Sequence, residues 1–240
     1  MNKISIIIPI LNEAETIEHL LEYLLNNSSK ENIAEIIVVD GGSSDGSQNI
    51  VNSFFHKHSK PTSEKSSLFI ESSIGRAKQM NTGSHFAKGA ILYFLHADSF
   101  PPKNFDQYII NEVEKKNKAG CFRLKFNHKH WWLRLASWLT QFHWRACRGG
   151  DQSQFITKEL FDDIGGFDES YIIYEDNILI NELYKRKQFT VINKKLITSA
   201  RRYEKHGIWK LQYHFWTIYI KKWFGTSAED LHDYYKKYIA

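Results

Sequence analysis

The sequence has only two cysteines, Cys121 and Cys147, among its 240 residues. Two cysteines are too few for the framework of bridges that holds a small disulfide-rich secreted domain. Long apolar runs are also missing, because Asn12 and Glu13 end the apolar stretch at residues 3–11 too early for an export signal. No stretch reaches the roughly 20 apolar residues of a membrane-spanning helix. We therefore predict a cytoplasmic protein with reduced thiols.

Acidic residues are fewer than basic ones, 27 against 32, which gives a formal net charge of +5. An excess of Lys and Arg favours anionic partners such as nucleic acid, anionic lipid and nucleotide diphosphates. A lysine-rich solvated surface gives the same balance, so charge alone does not choose among these partners. The hydrophobic content of 42% is typical of a globular protein, and the length suits one domain with at most a short appendage.

Strands and helices alternate in the first half of the chain. Short apolar runs rich in β-branched residues are typical of strands buried on both faces, and they occur at residues 3–10, 34–39, 68–71 and 90–95. Helices are predicted from Asn12, with Glu15 completing a capping box, from about Ser47, at residues 75–88 and near 104–116. This alternation predicts parallel strands joined by crossovers, hence an α/β layered domain.

The second half is less regular. Strands are predicted at residues 120–126, near 153–157 and, as a short pair, within 189–198. Helices are predicted at residues 129–145, 175–187, 208–224 and 228–238. The segment at residues 59–67 is rich in serine and lysine, which predicts a surface loop.

Polar residues gather where three of the predicted strands end, at residues 11–13, 40–45 and 96–98. Open α/β sheets bind their ligands in the crevice beyond the carboxyl ends of the strands. The agreement of three separate strand ends is the strongest purely physical indication of a site in this sequence.

Asp40 and Asp98 are the carboxylates at two of these strand ends. Asp40 precedes Gly41 and Gly42, which let a backbone approach a ligand closely. Its carboxylate suits either a ribose or base, or an Asx-turn with no ligand. Asp98 is a candidate ligand for Mg²⁺ or Mn²⁺, although a lone aspartate in such a loop is more often a turn former.

Two predicted helix starts carry further candidates. Glu175 and Asp176 open one helix, where the helix dipole alone would favour acidic residues. The functional alternative is that one of them is a general base for a sugar hydroxyl. Arg76 and Lys78 open another helix and are candidates for holding phosphate. The first strand is not followed by a Gly-x-Gly-x-x-Gly pattern, which disfavours a dinucleotide oxidoreductase.

Taken together, these segments resemble family-2 glycosyltransferases, which have the nucleotide-diphospho-sugar transferase fold called GT-A. The similarity covers roughly residues 3–205 in the family's order and rests on the segments SIIIPILNE, VVDGGSSDG, FLHAD and GGFD, followed by Glu175 and Asp176. A bacterial subgroup of the family looks closer still. It is marked by the segments found here as GRAKQMN (75–81), GDQ (150–152) and TSARRY (198–203).

The resemblance implies a three-layer α/β/α domain of GT-A type over residues 1–205, with a mostly parallel central sheet. Residues 206–240 would form a C-terminal helical extension. It also implies inverting transfer of a sugar from a UDP- or GDP-sugar to a hydroxyl on a lipid, polyisoprenoid or saccharide. A divalent cation, Mg²⁺ or Mn²⁺, would be held by Asp98.

The resemblance also implies roles for individual residues. Asp176 would be the catalytic base, beside Glu175. The donor site would contain Pro9, Leu11, Glu13, Asp40, Gly42, Arg76, Lys78, His96, Ala97 and Asp98. The acceptor side would contain Gly150, Asp151, Gln152 and Arg202, and Arg201 and Arg202 would stand near the place of the family's late Arg-Trp motif. His96 replaces the first aspartate of the family's Asp-x-Asp motif, so the metal is expected to depend on Asp98.

Two other functions fit parts of the sequence. A nucleotidyltransferase on a related fold usually has a glycine-rich basic loop after its first strand, where this chain has ILNE at residues 10–13. A non-catalytic nucleotide-sugar-binding protein is compatible with His96, but the presence of Asp98, Glu175 and Asp176 argues against it.

Tryptophans are crowded among basic residues in two segments, 131–148 and 209–224. Aromatic residues interleaved with Lys and Arg suit a membrane interface or a lipid-linked acceptor. Stacking on sugars or ordinary core packing would use the same residues. Peripheral membrane contact is therefore a hypothesis, and no nucleic-acid-binding module is recognisable.

Overall fold

The computed structural model of the protein describes residues 2–58 and 67–239, so most of the loop predicted at residues 59–67 lies outside the described residues. The described chain contains one eight-stranded sheet with the strand order β3-β2-β1-β4-β7-β6-β8-β5. Its strands are β1 (Ile4–Ile10), β2 (Ile33–Asp40), β3 (Ser67–Glu71), β4 (Ile91–Phe94), β5 (Ser99–Phe100), β6 (Ala119–Phe126), β7 (Gln154–Thr157) and β8 (Phe189–Thr198).

Helices connect and flank these strands. They are α1 (Ile17–Asn27), α2 (Ser47–His58), α3 (Arg76–Phe86), α4 (Phe105–Glu114), α5 (Trp131–Leu139), α6 (Lys158–Ile164), α7 (Glu175–Lys185), α8 (Arg201–His206), α9 (Ile208–Trp223) and α10 (Ala228–Tyr238). Strands β3, β2, β1 and β4 are parallel, as are β6 and β8. Strand β7 is antiparallel to β4 and β6, and β5 is antiparallel to β8. The predicted α/β domain with a mostly parallel sheet is confirmed.

The sheet separates two apolar cores, which explains why its strands read as continuous apolar runs. Ile6 and Ile8 of β1 pack with α1, α2 and α4 on one face. Ile7 of β1 and Val39 of β2 pack with α3, α6 and α7 on the other. Successive side chains of a strand point to opposite faces, so every position of a strand covered on both faces has to be apolar. This arrangement is the predicted three-layer α/β/α architecture.

The start of α1 differs from the prediction. The helix begins at Ile17, not after Asn12, and Asn12 has a φ of 56°. The side chain of Asn12 accepts a hydrogen bond from the Ser44 N–H, at 2.9 Å, instead of capping the helix. Asn12 therefore joins two loops, and the capping box predicted with Glu15 is wrong because a tertiary partner replaces the local one.

The second half contains further differences. Residues 189–198 form one strand of ten residues, not a pair, and an irregularity opposite Phe122 and Arg123 bends its pairing with β6. The tryptophan-rich helix is shorter than predicted, since α5 ends at Leu139 and a separate short turn follows at Arg145–Cys147. Helices α6 and α8 were not predicted, because each is too short to show a periodic apolar face.

The C-terminal helices α9 and α10 pack on each other and on the segment that precedes α7. A third apolar cluster joins Ile173 to Leu211, Ile218 and Leu231. The hydroxyl of Tyr219 donates to Asn177 Oδ1 at 3.4 Å, which places α9 beside the first turn of α7. Gly207, with a φ of 82°, separates α8 from α9, close to the boundary predicted between residues 205 and 206. The division into a domain at residues 1–205 and a C-terminal helical extension at residues 206–240 stays a prediction.

None of the helices within residues 2–58 and 67–239 is long and apolar enough to cross a bilayer.

Candidate active site

The loops after β1 and β2 form one unit at the carboxyl edge of the sheet. The N–H groups of Asn12 and Glu13 donate to the hydroxyls of Ser43 and Ser47, at 2.8 and 2.9 Å. The N–H of Ala14 donates to Asp45 Oδ2 at 2.9 Å. Side chains of one loop therefore satisfy the free backbone donors of the other, which fixes the two strand ends relative to each other.

Asp40 is fully buried, and its carboxylate is turned toward its own loop. It accepts hydrogen bonds from the N–H groups of Gly42 and Ser43, both at 3.0 Å, and from the Gln48 amide at 2.7 Å. Burial acts to raise the pKa of Asp40, but the hydrogen bonds from Ser43, Gln48 and Gly42 outweigh it, and the pKa lies below its ordinary value. Of the two interpretations left open by the sequence, the turn-forming one describes these contacts, and a direct nucleotide contact by this carboxylate stays a prediction.

Other residues of the predicted donor site are placed unequally. Pro9 and Ala97 are buried inside the domain, so their side chains do not reach a ligand there. Leu11, Gly42 and Lys78 are exposed near the strand ends, where a nucleotide can reach them. Both side chains are packed into the layers that support the site, and the expectation that Pro9 and Ala97 line it stays a prediction.

Gln79, which the sequence did not single out, fastens the ends of β1 and β2. Its buried side-chain amide donates to the carbonyl oxygens of Ile10 and Val39, both at 2.8 Å. Asn81, in the same segment, accepts from the Phe167 N–H and donates to the Phe167 carbonyl, both at 2.9 Å. The GRAKQMN segment therefore holds the strand ends and the GGFD turn together. Polar residues inside an otherwise apolar layer are the sequence feature that could have indicated this role.

Asp98 lies in a cluster with Glu13, His96 and Arg201. Arg201 Nε is 3.5 Å from Asp98 Oδ2, and the Arg201 guanidinium also pairs with Glu13. Burial raises the pKa of Asp98 above its ordinary value, while His96 and Arg201 act in the opposite direction. His96 Nδ1 is 3.9 Å from Asp151 Oδ1, so the turn at residues 150–152 approaches the end of β4. Residues far apart in sequence thus form one charged site.

The three residues of the GDQ turn have different surroundings. Gly150 lies against Asp176 so closely that an added Cβ would be 1.9 Å from Asp176 Oδ2. The side chain of Asp151 is 59% exposed on the side of His96. Gln152 is buried, where its amide oxygen accepts from Arg148 Nη1 at 3.2 Å. The Gln152 side chain therefore supports the turn from inside, and its place on the acceptor side stays a prediction.

Glu175 is buried beneath the site and pairs with Arg76. Its carboxylate is fully buried, and Oε1 is 2.7 Å from Arg76 Nε, whereas Oε2 has no hydrogen-bond partner among the described residues. Burial raises the pKa of Glu175 to about 7; Arg76 opposes this shift and Asp176 adds to it. The fully buried carboxylate has no access to solvent, and the predicted catalytic role of Glu175 stays a prediction. Glu175 positions Arg76.

Arg202 points away from Asp98. Its guanidinium donates to the Tyr235 hydroxyl and lies 5.8 Å from the ring centre of Phe215. Together with Arg201, Lys205 and His206 it lines an open pocket of about 480 Å³ beside α10. The sequence assigned Arg202 to the acceptor side, but its neighbour Arg201 is the residue that reaches Asp98. Two adjacent arginines at a helix start point in different directions, and sequence spacing alone did not separate them.

Few side chains at this site could act as metal ligands. Within residues 2–58 and 67–239, no group of three His, Cys, Asp or Glu side chains could hold a metal ion. Asp98 offers the oxygen ligands that Mg²⁺ and Mn²⁺ prefer, and such ions often complete their shell with water and substrate phosphates. The residues fit a cation that binds together with a diphosphate, and do not fit a preformed all-protein cage.

The raised pKa of Glu175 predicts a pH-dependent stability. The folded state keeps the Glu175 proton up to about pH 7, whereas the unfolded chain releases it near 4.5. Its contribution to the free energy of unfolding is therefore complete below pH 4.5 and is lost as the pH rises through 7. A shift of this size is worth on the order of 3 kcal/mol. Glu175→Gln is expected to melt roughly 6–12 °C above the wild type at pH 8.5 and much closer to it at pH 5.

Thermal melting of both proteins between pH 5 and pH 8.5 checks this prediction. Glu31→Gln, at an exposed position, is the matched control and is expected to follow the wild type at every pH. A melting temperature of Glu175→Gln that is lowered more at pH 8.5 than at pH 5 would contradict the prediction, because the charged carboxylate would then be the stabilising form.

This fold is shared with proteins of known structure that were solved with a bound nucleotide or nucleotide sugar. A mannosyltransferase, PcManGT from Pyrobaculum calidifontis in complex with GDP-Man and Mn²⁺, superposes with a TM-score of 0.66 at 19% identity, over 90% of this chain and 60% of that one. Residues 1–349 of TarS from S. aureus, in complex with UDP, give 0.64 at 17% identity, over 82% of this chain and 60% of that one. The layered sheet and its carboxyl-edge site thus define a domain with the GT-A fold.

Sequence comparison gives the family. The family described as glycosyl transferase family 2 matches residues 5–168, more than half of the chain, and the protein belongs to it. The probable glycosyltransferase YdaM of Bacillus subtilis is 26% identical over 202 residues, 74% of this chain and 46% of YdaM. Glycosyltransferase AglE of Haloferax volcanii is 35% identical over 98 residues, 41% of this chain and 31% of AglE. The chain spans about a third to a half of the length of these relatives.

Proposed function

We propose that this protein is an inverting glycosyltransferase that moves a sugar from a nucleotide-diphospho-sugar to a hydroxyl acceptor. The observation that supports it best is the chain of contacts from Asp98 to Asp176. Asp98 lies in the cluster with His96, His96 faces Asp151, and the adjoining Gly150 lies against Asp176. This chain of contacts supports a site that combines a carboxylate suited to a metal–diphosphate with a carboxylate suited to a base.

In the proposed reaction, the acceptor hydroxyl oxygen attacks the anomeric carbon from the face opposite the leaving group. A new carbon–oxygen bond forms as the bond to the diphosphate breaks, which inverts the configuration. The hydroxyl proton moves to the Asp176 carboxylate, to which the family resemblance assigns the role of general base. Asp176 is 7% exposed, so little water competes for its carboxylate.

The departing diphosphate carries negative charge that this site has to accommodate. Asp98 would hold Mg²⁺ or Mn²⁺, which would supply charge neutralisation to the leaving group. Arg201, which Glu13 and Asp98 orient, adds a fixed positive charge next to them. Arg76 is oriented by Glu175 and keeps 37% of its side chain exposed, so it can meet a phosphate. Positive groups held in place before the reaction need no rearrangement during it.

The donor is proposed to be a UDP- or GDP-sugar, in keeping with the UDP bound to TarS and the GDP-Man bound to PcManGT. Leu11, Gly42 and Lys78 are the exposed residues next to the proposed nucleotide position. The acceptor is proposed to be a lipid, a polyisoprenoid or a saccharide, approaching from the side of Asp151. Peripheral membrane contact through the tryptophan-rich segments, on a cytoplasmic face, is part of this proposal.

Release of the nucleotide diphosphate from UDP- and GDP-sugars tests the function. The purified protein is expected to hydrolyse at least one such donor slowly in the presence of Mn²⁺ or Mg²⁺ and not with EDTA, because water replaces the missing acceptor. Thermal-shift measurements with UDP and GDP run in parallel. Binding without any release from a broad donor set would favour a non-catalytic nucleotide-sugar-binding protein, and absence of both would overturn the proposal.

A further inference from the structure

The tryptophans of this protein are mostly on its surface. Six of its seven tryptophans, all except Trp132, are at least 46% exposed, and Trp223 reaches 87%. Core packing, one of the explanations that the sequence left open, therefore does not account for them. Large aromatic side chains in contact with water are unfavourable, so such a concentration indicates a surface that is covered in another state.

Helix α9 has apolar side chains on its solvent-facing side as well as on the side that packs against the protein. Its buried residues, Leu211 and Ile218, define the face toward the protein. On the opposite face lie exposed apolar residues at helical spacing: Trp209, Tyr213, Trp216, Ile220 and Trp223. At 3.6 residues per turn these five fall within an arc of roughly 80° and extend for about 21 Å along the helix. An ordinary surface helix is polar there.

Helix α5 repeats this pattern. Leu133 is its fully buried residue, whereas Trp131, Leu135 and Trp138 are 59, 37 and 52% exposed. These three residues again share one face, opposite Leu133. Two separate helices thus present an apolar aromatic face to the outside.

The two faces are continuous. The ring centres of Trp131 and Trp209 are 5.7 Å apart, and those of Trp132 and Trp216 are also 5.7 Å apart. Trp132 is the partly buried member, and its indole N–H donates to Gln212 Oε1 at 3.0 Å. We name the exposed set the aromatic surface, and it consists of Trp131, Leu135, Trp138, Trp209, Tyr213, Trp216, Ile220, Trp223 and the adjoining Phe224.

Both parts of the aromatic surface lie in segments without acidic residues. Residues 115–150 contain nine Lys or Arg and no Asp or Glu, and residues 205–228 contain four Lys and no Asp or Glu. Arg134 and Lys210 are exposed beside the aromatic faces of α5 and α9. This combination complements a surface that is apolar inside and negatively charged at its boundary, which is an anionic lipid bilayer. A protein partner or a second copy of this chain would not require so one-sided a charge.

The aromatic surface is also close to the proposed catalytic residues. Helix α9 contacts the first turn of α7 through Tyr219 and Asn177, and Asn177 follows Asp176 directly. Arg145, in the turn that follows α5, donates to the Asn177 carbonyl at 3.1 Å. A bilayer in contact with α9 would therefore lie about one helix diameter from the base, within reach of a lipid-linked hydroxyl.

From this geometry we infer that the aromatic surface docks on an anionic lipid bilayer, with α5 and α9 lying in the plane of the interface and Asp176 facing the membrane-proximal side. This inference deepens the proposed membrane contact by naming its residues, its lipid charge and its orientation. The aromatic rings enter the headgroup region, and Arg134 and Lys210 meet the lipid phosphates.

Flotation with vesicles tests this inference on the whole chain. Wild-type protein is expected to float with vesicles of phosphatidylcholine and phosphatidylglycerol, and much less with phosphatidylcholine alone. The double variant Trp223→Ser, Phe224→Ser is expected to bind at least tenfold more weakly. These two side chains are 87 and 84% exposed, so the fold should remain intact, and thermal melting verifies this. Phe86→Ser, at an aromatic residue 50% exposed outside the surface, is the matched control and should bind as the wild type does.

A charge variant probes the second component. Arg134→Glu combined with Lys210→Glu is expected to lose at least tenfold in binding to the anionic vesicles only, since each basic residue near such a surface contributes about fivefold. No binding of the wild type to anionic vesicles overturns the inference. Self-association that Trp223→Ser, Phe224→Ser abolishes, without vesicle binding, also overturns it and identifies a second copy as the occupant. Donor hydrolysis without lipid is measured in parallel, so failure of docking and failure of the proposed activity are distinguished.

Discussion

Asp176→Asn is expected to reduce the rate of sugar transfer on the order of 10³-fold while the affinity for the nucleotide sugar changes less than about threefold. Asparagine has nearly the same shape as aspartate but cannot take the acceptor proton, and a positioned general base typically contributes 10²- to 10⁴-fold. Asp176 lies against the 150–152 turn and not in the Asp98 cluster, so donor binding should persist. Initial rates and calorimetric titration with the donor measure the two effects separately.

A pair of glycine variants distinguishes the position of Asp176 from its mere presence. In Gly150→Ala the new methyl group would be 1.9 Å from Asp176 Oδ2 and 2.6 Å from its Cγ, so the carboxylate or the turn has to move. Transfer should fall at least tenfold although Asp176 is intact. In Gly149→Ala the nearest atom is the Tyr219 hydroxyl at 3.9 Å, and activity should remain. Full transfer activity in Asp176→Asn would refute the mechanism, and equal effects of the two glycine variants would refute the positioning argument.

Asp98→Ala is expected to abolish the dependence of nucleotide binding on metal. The described residues contain no three-residue metal cage, so Mn²⁺ alone should bind weakly and Mn²⁺ with UDP or GDP at least tenfold more tightly. Without the Asp98 carboxylate the protein loses its proposed metal ligand, and this increase should disappear. Calorimetric titration of UDP and GDP, each with Mn²⁺ and with EDTA, measures the effect.

Asp163→Ala is the control for the Asp98 variant. Asp163 is 62% exposed, pairs with Arg186 on the surface and lies outside the site. Its removal should therefore leave the tighter binding of Mn²⁺ in the presence of UDP or GDP unchanged. A metal-dependent increase that persists in Asp98→Ala would show that other groups hold the cation. Equal binding with Mn²⁺ and with EDTA in the wild type would instead argue against any metal in nucleotide binding.

Much of the fold followed from the sequence because its signals are local. The continuous apolar runs that became β1 and β2 are typical of strands covered on both faces, and the structure covers them with helices on each side. The bounds of α10 agree with the predicted residues 228–238, since its apolar periodicity is clear. Where a tertiary partner competed with a local one, prediction failed: Asn12 bonds to the loop after β2 instead of capping α1.

The site was predicted less completely. Strand ends located the 11–13, 40–45 and 96–98 segments, because carboxyl ends of parallel strands meet at one edge of a sheet. The direction of each side chain was not predictable in this way. Glu175 and Asp176 are neighbours, yet one is paired with Arg76 and the other lies against Gly150 of the 150–152 turn. Arg201 and Arg202 are likewise neighbours, and only Arg201 reaches Asp98.

The sequence by itself determined the layered α/β architecture, the edge of the sheet that carries the charged residues and the family to which the chain belongs. These depend on periodicity, chain order and motif spacing, which are properties of the chain read in one dimension. Only the tertiary structure decided three other features. The Asp40 carboxylate is hydrogen-bonded within its own loop, and Gln152 supports the 150–152 turn from inside. The tryptophans of α5 and α9 face outward together. Those outcomes depend on which distant residues occupy the same space, and no local pattern of residues contains that information.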